Sequence, residues 1–421
     1  MTDSEQNKVE PLTKSEFIER AAKGESFAEV KIGDLIIEEE TLRIEASLDG
    51  AIFVGEVSII GSKIISKGDL NFGGAIFKGN KVSFSNSTFE CANNITFTAT
   101  HFAENSTISF YRAKFHNGGQ LQFLGTRFSS AKKVDFTLAE FNSVKGTKFN
   151  GCHFEEVGKV SFIRAKFYGE GVVSFISTHF NIDGLLEFNY VYIEYPELME
   201  FIDTNLSKAL LLRTDLRKIK FRRVIFSPPG RIELYDFINW NDINRNNKFP
   251  SREFAVNKLY HIGVLYTQLK QNFESDRDYS RAGEFHVGEM EMRRKQYNPV
   301  VQYISILNLY RGLSNYGESW KKAIAVFLAG TVLFTILNLL YIEWPHSDVW
   351  TADNISEVLS GFADSWISTL DLVFPGRILG DSNLTKGIPT VIGKFLLLIE
   401  SIFGPLMLAL IILALRRHTK R

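Results

Sequence analysis

Large apolar residues recur through the middle of this chain at steps that suit neither a helix nor a plain strand. Phe84, Phe89, Phe97, Phe102, Phe110, Phe115, Phe123, Phe128, Phe136, Phe141, Phe149, Phe154, Phe162, Phe167, Phe175, Phe180 and Phe188 follow one another at alternating intervals of five and eight residues. Ile193 and Phe201 extend the alternation. Then Phe201, Leu206, Leu211, Leu216, Phe221 and Phe226 are spaced strictly by five. Upstream, Ile59, Ile64, Phe72 and Phe77 keep the rhythm, with a one-residue slip before Phe84. A helix needs a period of 3.6 and a half-buried strand a period of two. A sustained longer period marks stacked coils, and five residues fit one side of a square-sectioned β-helix. A second position agrees. Two residues before the Phe of each close pair stands a small residue: Ala75, Ser87, Thr100, Ala113, Thr126, Ala139, Cys152, Ala165 and Thr178. A narrow interior accepts one large side chain per side when its inward neighbour is small. The eight-residue steps place three extra residues on alternate sides. Gly118, Gly119, Gly158, Gly169 and Gly171 fall in them, where positive φ is expected. The pattern leaves the number of residues per coil open.

Outside this stretch the periodicity is helical. Pro11 to Ala28 predicts a short helix with Phe17, Ile18, Ala21 and Ala22 on one side, suited to hide the first coil. Strand-like runs follow from Val30 to Val57. Pro228-Pro229-Gly230 closes the repeat, and Asn241 to Pro250 is a polar linker. Leu259, Ile262, Leu265, Tyr266, Leu269 and Phe273 form one stripe. With a turn at Asp276-Arg277-Asp278 and a second helix from Tyr279 to Lys295, they predict an antiparallel helical hairpin. Pro299 to Leu313 is amphipathic and aromatic-rich, as in a helix lying at a membrane surface. Ala323 to Tyr341 and Phe395 to Leu415 are each long and apolar enough to cross a bilayer. Trp320 stands at one end of the first span, Tyr341 and Trp344 at the other. Between the spans, Ile355 to Phe374 is apolar but too mixed to cross and predicts a re-entrant helix. The fold class is therefore mixed: a right-handed quadrilateral β-helix, a helical hairpin, and a two-span helical membrane domain with a re-entrant helix. Its parts are 1–58 (cap and first strands), 59–230 (β-helix), 231–319 (linker, hairpin and interfacial helix) and 320–421 (membrane domain).

Charge then sets topology and excludes partners. The 421 residues hold 48 Lys and Arg against 48 Asp and Glu, so nothing points to nucleic acid. The N-terminus begins polar, and no cleavable signal peptide is expected. Arg293, Arg294, Lys295, Lys321 and Lys322 precede the first span, and Arg416, Arg417, Lys420 and Arg421 follow the second. The loop between them is acidic. The positive-inside rule then places both termini in the cytoplasm. Cys91 and Cys152 lie within the repeat, and Cys152 takes a small inward position, so packing is its expected role. A cluster on the strict-five section, Lys208, Arg213, Arg217, Lys218, Lys220, Arg222 and Arg223, is either a solvated face or a patch for anionic lipid or an acidic protein partner.

The repeat resembles the pentapeptide-repeat family, whose units carry a small residue two places before a central Leu or Phe. That family's DNA mimics have strongly acidic faces; here Ile59–Phe188 is at least as basic as acidic. The segment Lys394–Leu415, with Glu400-Ser401-Ile402-Phe403-Gly404 ahead of a Leu-rich run, resembles the inner helix of two-transmembrane potassium-channel-type domains. Tyr316-Gly317-Glu318 and Glu289-Met290-Glu291-Met292-Arg293-Arg294 resemble bacterial pentapeptide-repeat proteins that carry such a domain. The resemblance implies an ion-channel-like protein of a bacterial inner membrane, assembled as a homotetramer. A non-conducting anchored scaffold and a membrane-permeabilising effector are the alternatives. The potassium filter run Thr-x-Gly-Tyr-Gly is absent. The equivalent stretch supplies Ser368, Thr369, Asp371, Pro375, Gly376 and Arg377 as re-entrant candidates. Glu400 is the strongest single candidate, because a carboxylate within a span faces a cavity or a partner. Its expected role is to line the pore, to anchor the re-entrant helix, or to pair with Lys394 of a neighbour or with Ser365, Ser368 or Thr369. Gly404 and Pro405 are hinge candidates. No P-loop, Gly-x-Ser-x-Gly, kinase set or metal-spaced Cys/His cluster occurs, so no enzyme, metal or cofactor is expected.

Overall fold

The computed structural model describes residues 10–103, 107–129, 132–154, 156–181, 183–228, 233–246, 252–341, 362–363, 365–367, 369–370 and 391–419. The chain divides into two units, Met1–Asn272 and Phe273–Arg421.

The first unit is a parallel β-solenoid with four flat sides. Its strands stack into four columns, three of seven strands and one of eight. Phe89 pairs with Phe115, Phe115 with Phe141 and Phe141 with Phe167. One coil therefore holds 26 residues, two of the 13-residue units. The first coils are smaller. Lys31 pairs with Ile52, 21 residues on, and Ile52 with Ile76, 24 on. The slip before Phe84 is this growth in coil length. Three of these columns take in the strands between residues 31 and 57. At the other end the strict-five spacing makes a coil of 20, Phe201 pairing with Phe221.

The Phe positions fill the interior as stacks of rings. Phe97, Phe123, Phe149 and Phe175 lie parallel with centroids 4.9, 4.9 and 4.8 Å apart. That is the strand spacing of a sheet. Rings of adjacent columns meet edge to face, as Phe136 does with Phe123 and Phe149. The small positions serve the corners. Thr100, Thr126 and Thr178 donate their hydroxyls to the carbonyls of Phe72, Phe97 and Phe149 in the coil below, at 2.7, 2.6 and 2.7 Å. Cys152 donates its thiol to Phe123 in the same series. Burial pushes this thiol's pKa up, and neither cysteine is in a disulfide.

The corners also correct the reading of the glycines. A left-handed residue recurs every 13 positions: Asn86, Ala99, Arg112, Gly125, Leu138, Gly151, Arg164, Ser177, Tyr190 and Asp203, with φ from 49° to 64°. Only two of these ten are glycine. The turn requires the conformation, and the stacked coils hold it even at Leu138 and Tyr190. Of the insertion glycines, Gly169 alone has positive φ. The rest answer close approach between coils. A Cβ on Gly118 would lie 2.3 Å from the carbonyl oxygen of Ala92, and one on Gly171 2.0 Å from the nitrogen of Gly146.

Both ends of the solenoid are covered. Helix α1 (Lys14–Lys23) has a Thr13–Glu16 capping box and stops at left-handed Gly24. Its Phe17 is buried against Phe27 and Phe53 of the first coils. At the far end, α2 (Tyr235–Asn246) and α3 (Arg252–Ser275) meet the last coils. Side chains on α3 replace the missing next coil. Gln268 accepts from the Leu216 amide at 3.1 Å, Asn272 accepts from the Lys218 amide at 2.8 Å, and Tyr266 accepts from the Leu234 amide at 2.8 Å. Beside the stripe expected to form half of a hairpin, Gln268 and Asn272 thus bond the last coil, and the helix belongs to the solenoid's unit up to Asn272.

Asp236 on α2 is buried and accepts from the Leu211 and Leu212 amides at 3.0 Å. Burial raises its pKa to about 7, above the ordinary value of 3.8. Between these two values the folded state holds a proton that the unfolded chain has lost, so stability falls as pH rises through that window. In Asp236→Asn, unfolding of the solenoid should lose the part of its decline with rising pH between about 4 and 7 that this carboxyl contributes. Denaturant titrations followed by β-sheet circular dichroism would show it, and equal slopes in both proteins would refute it.

The second unit holds α4 (Tyr279–Lys295), α5 (Pro299–Ile304), α6 (Ile306–Ser314), α7 (Trp320–Tyr341) and α8 (Val391–Thr419). Segments Trp320–Asn338 and Phe395–Thr419 are long and apolar enough to cross a membrane. Tyr303, Ile304 and Ile306, in and beside the bend at Ser305 between α5 and α6, are about 80% exposed. Three successive left-handed residues, Asn315, Tyr316 and Gly317, join α6 to α7. Tyr316 is fully buried and donates its hydroxyl to Glu291 of α4 at 2.8 Å, while its carbonyl accepts from Arg417 of α8 at 3.0 Å. Arg417 also pairs with Glu318 at 2.7 Å. Glu291 pairs with Arg294 and Arg311, both at 2.9 Å. Burial alone would raise the Glu291 carboxyl, but the bonds from Arg294 and Tyr316 outweigh it and hold the pKa below the usual value.

Candidate functional site

Polar groups are costly in a span unless they find partners. Helix α7 has three, Thr331, Thr335 and Asn338, at i, i+4 and i+7, on one face. All three are fully buried. The Thr335 hydroxyl donates to the Thr331 carbonyl at 2.9 Å, which satisfies it within its own helix. The longer Asn338 side chain reaches outward. Its amide nitrogen donates to Glu400 of α8 at 3.2 Å and to the Thr369 hydroxyl at 3.3 Å.

Thr369 belongs to the short segment between α7 and α8, whose described residues, 362–363, 365–367 and 369–370, are helical. On the same segment Trp366 donates its indole N–H to the Thr331 hydroxyl at 3.2 Å, and Ser365 is buried. Asn338 therefore joins three elements through one amide, and Glu400 is fully buried at the centre. Among the described residues, the Oε1 atom of Glu400 and the Oδ1 atom of Asn338 are buried without a hydrogen-bond partner.

Beside this cluster α7 and α8 approach closely. Phe403 fits over Gly330, where a Cβ would lie 2.4 Å from its ring, between Phe327 and Phe334 at 6.4 and 5.3 Å. Helix α8 runs on without a break past Gly404, which is buried, and Pro405, which is exposed. A proline at this position deprives the Ser401 carbonyl of its helical partner.

Of the re-entrant candidates, the structure brings Thr369 to Glu400 through Asn338. Ser368, Asp371, Pro375, Gly376 and Arg377 lie outside the described residues, as does the side chain of Lys394. Asn338 was legible only as one polar residue in a span; its i, i+4, i+7 spacing with Thr331 and Thr335 was the available signal.

The basic cluster of the solenoid is largely paired. Lys208 meets Asp183 at 3.2 Å, Arg217 meets Asp215 at 2.6 Å, and Arg223 meets Asp203. Arg213 lies over Tyr190 and bonds His261 at 3.1 Å. Lys220 and Arg222 are exposed. Elsewhere the outer face is a balanced ladder, with Lys81–Glu56, Lys63–Glu90 and Lys166–Glu140 pairs at 2.8, 2.8 and 3.0 Å. Exposed pairs of this kind contribute little each.

The fold and the cluster together define a class, a β-solenoid followed by two helices able to span a membrane. No protein family, curated protein or solved structure matches the chain.

Proposed function

We propose that this chain is an ion-channel-like protein of a bacterial inner membrane, with both termini and the solenoid in the cytoplasm, working as an oligomer. The observation that carries this reading is Glu400. A fully buried carboxylate in a helix apolar enough to span is tied, through Asn338, to a second such helix and to the short helix between them. Span, short helix and span resembles the plan of two-transmembrane pore domains, and buried acids in spans mark ion pathways. Two spans cannot enclose a pore alone, so conduction requires several copies, four by analogy with two-span potassium channels. In this reading Glu400 anchors the short helix, and Gly404 and Pro405 let α8 bend as a gate. The solenoid, with its pentapeptide-like repeat and exposed Lys220 and Arg222, binds a cytoplasmic partner that biases the gate. No enzymatic step or nucleic acid enters.

Reconstituted full-length protein should release potassium or sodium from liposomes. Glu400→Ala, which frees the short helix, should lower the rate at least about tenfold. Absence of flux from protein verified as inserted and oligomeric would overturn the channel reading and leave an anchored scaffold.

A further inference from the structure

Glu400 and Asn338 are each fully buried, and among the described residues each keeps one oxygen with no donor. The Asn338 amide nitrogen is spent on Glu400 Oε2 and on Thr369. Rotating the amide would put its oxygen against the carboxylate, so the orientation shown is the favourable one. Thr331 and Thr335 cannot supply the missing donors, because their hydroxyls already donate to the carbonyls of Leu328 and Thr331. Glu400 forms no ion pair with any described Lys, Arg or His. An isolated ionised carboxylate in a low-dielectric interior is strongly unfavourable without a counter-charge.

We infer that the Glu400–Asn338–Thr369 cluster is a binding site for one monovalent alkali cation, sodium or potassium. Charge argues for the valence. One carboxylate with a neutral amide and hydroxyl balances a single positive charge, whereas a divalent ion would leave an excess charge in the same apolar surroundings. Ligand type argues for the class. The free donors are hard oxygens, with no described nitrogen or sulfur ligand beside them, and hard oxygens suit alkali and alkaline-earth ions rather than transition metals. The bound ion would fill both orphan oxygens and clamp the short helix between α7 and α8. This deepens the reading of Glu400 given above and rests on α7 and α8 lying in a membrane. Its test reads binding rather than flux, so either can fail alone.

The experiment is thermal unfolding of purified full-length protein in lipid nanodiscs at pH 8, followed by helical circular dichroism and by tryptophan fluorescence. Trp366 lies beside the site, bonded to Thr331. Sodium or potassium chloride is raised from 1 to 300 mM against N-methylglucamine chloride at constant ionic strength. A saturable rise in midpoint of roughly 3–8 °C with one alkali ion is expected. It should disappear in Glu400→Gln and weaken at least threefold in apparent affinity in Asn338→Ser. The parent titration alone decides the case if either variant fails to fold. No saturable difference between alkali ion and N-methylglucamine would overturn the proposal. So would stabilisation that follows pH alone, which would make the occupant a proton, and so would an unchanged cation effect in Glu400→Gln.

Discussion

Truncating Phe136 to alanine should destabilise the solenoid by about 3–5 kcal/mol, the cost of deleting a fully buried aromatic ring. Phe136 is stacked between Phe110 and Phe162 at 5.0 and 4.9 Å and touches Phe123 and Phe149 edge to face. Coils above and below are fixed at the strand spacing by their backbone bonds, so they cannot close over the void. Phe180 offers the contrast. It ends its column, is only partly buried, and stacks on Phe154 alone at 5.3 Å. Phe180→Ala should cost less than half as much. Urea titrations of the two variants, read by β-sheet circular dichroism, would separate them. Equal losses would mean that stacking along the column is not what holds the coils.

The same regularity explains what could be read from the chain and what could not. Inward Phe and small positions announce themselves because each repeats with one chemistry and one spacing. Coil length stayed hidden, because a 13-residue unit is compatible with any number of units per turn; only the pairing of Phe115 with Phe141 settles it. The left-handed corners were invisible for a related reason. Backbone bonds to neighbouring coils impose the conformation on Leu138, Arg164 and Tyr190 alike, so no residue type marks it. Conversely, glycines that suggest positive φ answer contacts with residues 25 or 26 positions away, which no local reading contains. At the cluster between α7 and α8, Glu400 stood out as an acid in an apolar run. Asn338 did not, because its importance lies in a bond to a residue 62 positions distant. Glu291 likewise reads as surface charge until Tyr316, Arg294 and Arg311 are seen around it.

Gly317→Val should destabilise the second unit by about 1–3 kcal/mol, chiefly by forcing a β-branched residue into the left-handed region. Gly317 has φ +77°, and a Cβ there would lie 2.6 Å from the Tyr310 hydroxyl, 3.1 Å from Leu413 and 3.4 Å from the Arg417 guanidinium. These neighbours are the ends of side chains on α6 and on the last turns of α8, which can move aside, so the left-handed backbone carries most of the cost. Gly317→Ala should cost about half as much, while Asn315→Gly, at a left-handed position with φ 50°, should be neutral or slightly stabilising. Melting of the detergent-solubilised protein, with limited proteolysis of the 315–318 turn, distinguishes the three. A Gly317→Val protein that melts within a degree of the parent would show that the turn tolerates other conformations.

Two 13-residue units per coil also make the solenoid a device that counts. Adding one whole coil of 26 residues would lengthen it by about 4.8 Å and leave every downstream residue on its own side. Adding one unit would advance the chain by half a turn, so that α3 and its row of amides would arrive on the side opposite the one they now occupy relative to α1. Gene duplications that preserve the cap's bearing must therefore come in even numbers of units. A homologue with an odd number would have to turn whatever its cap presents through 180°.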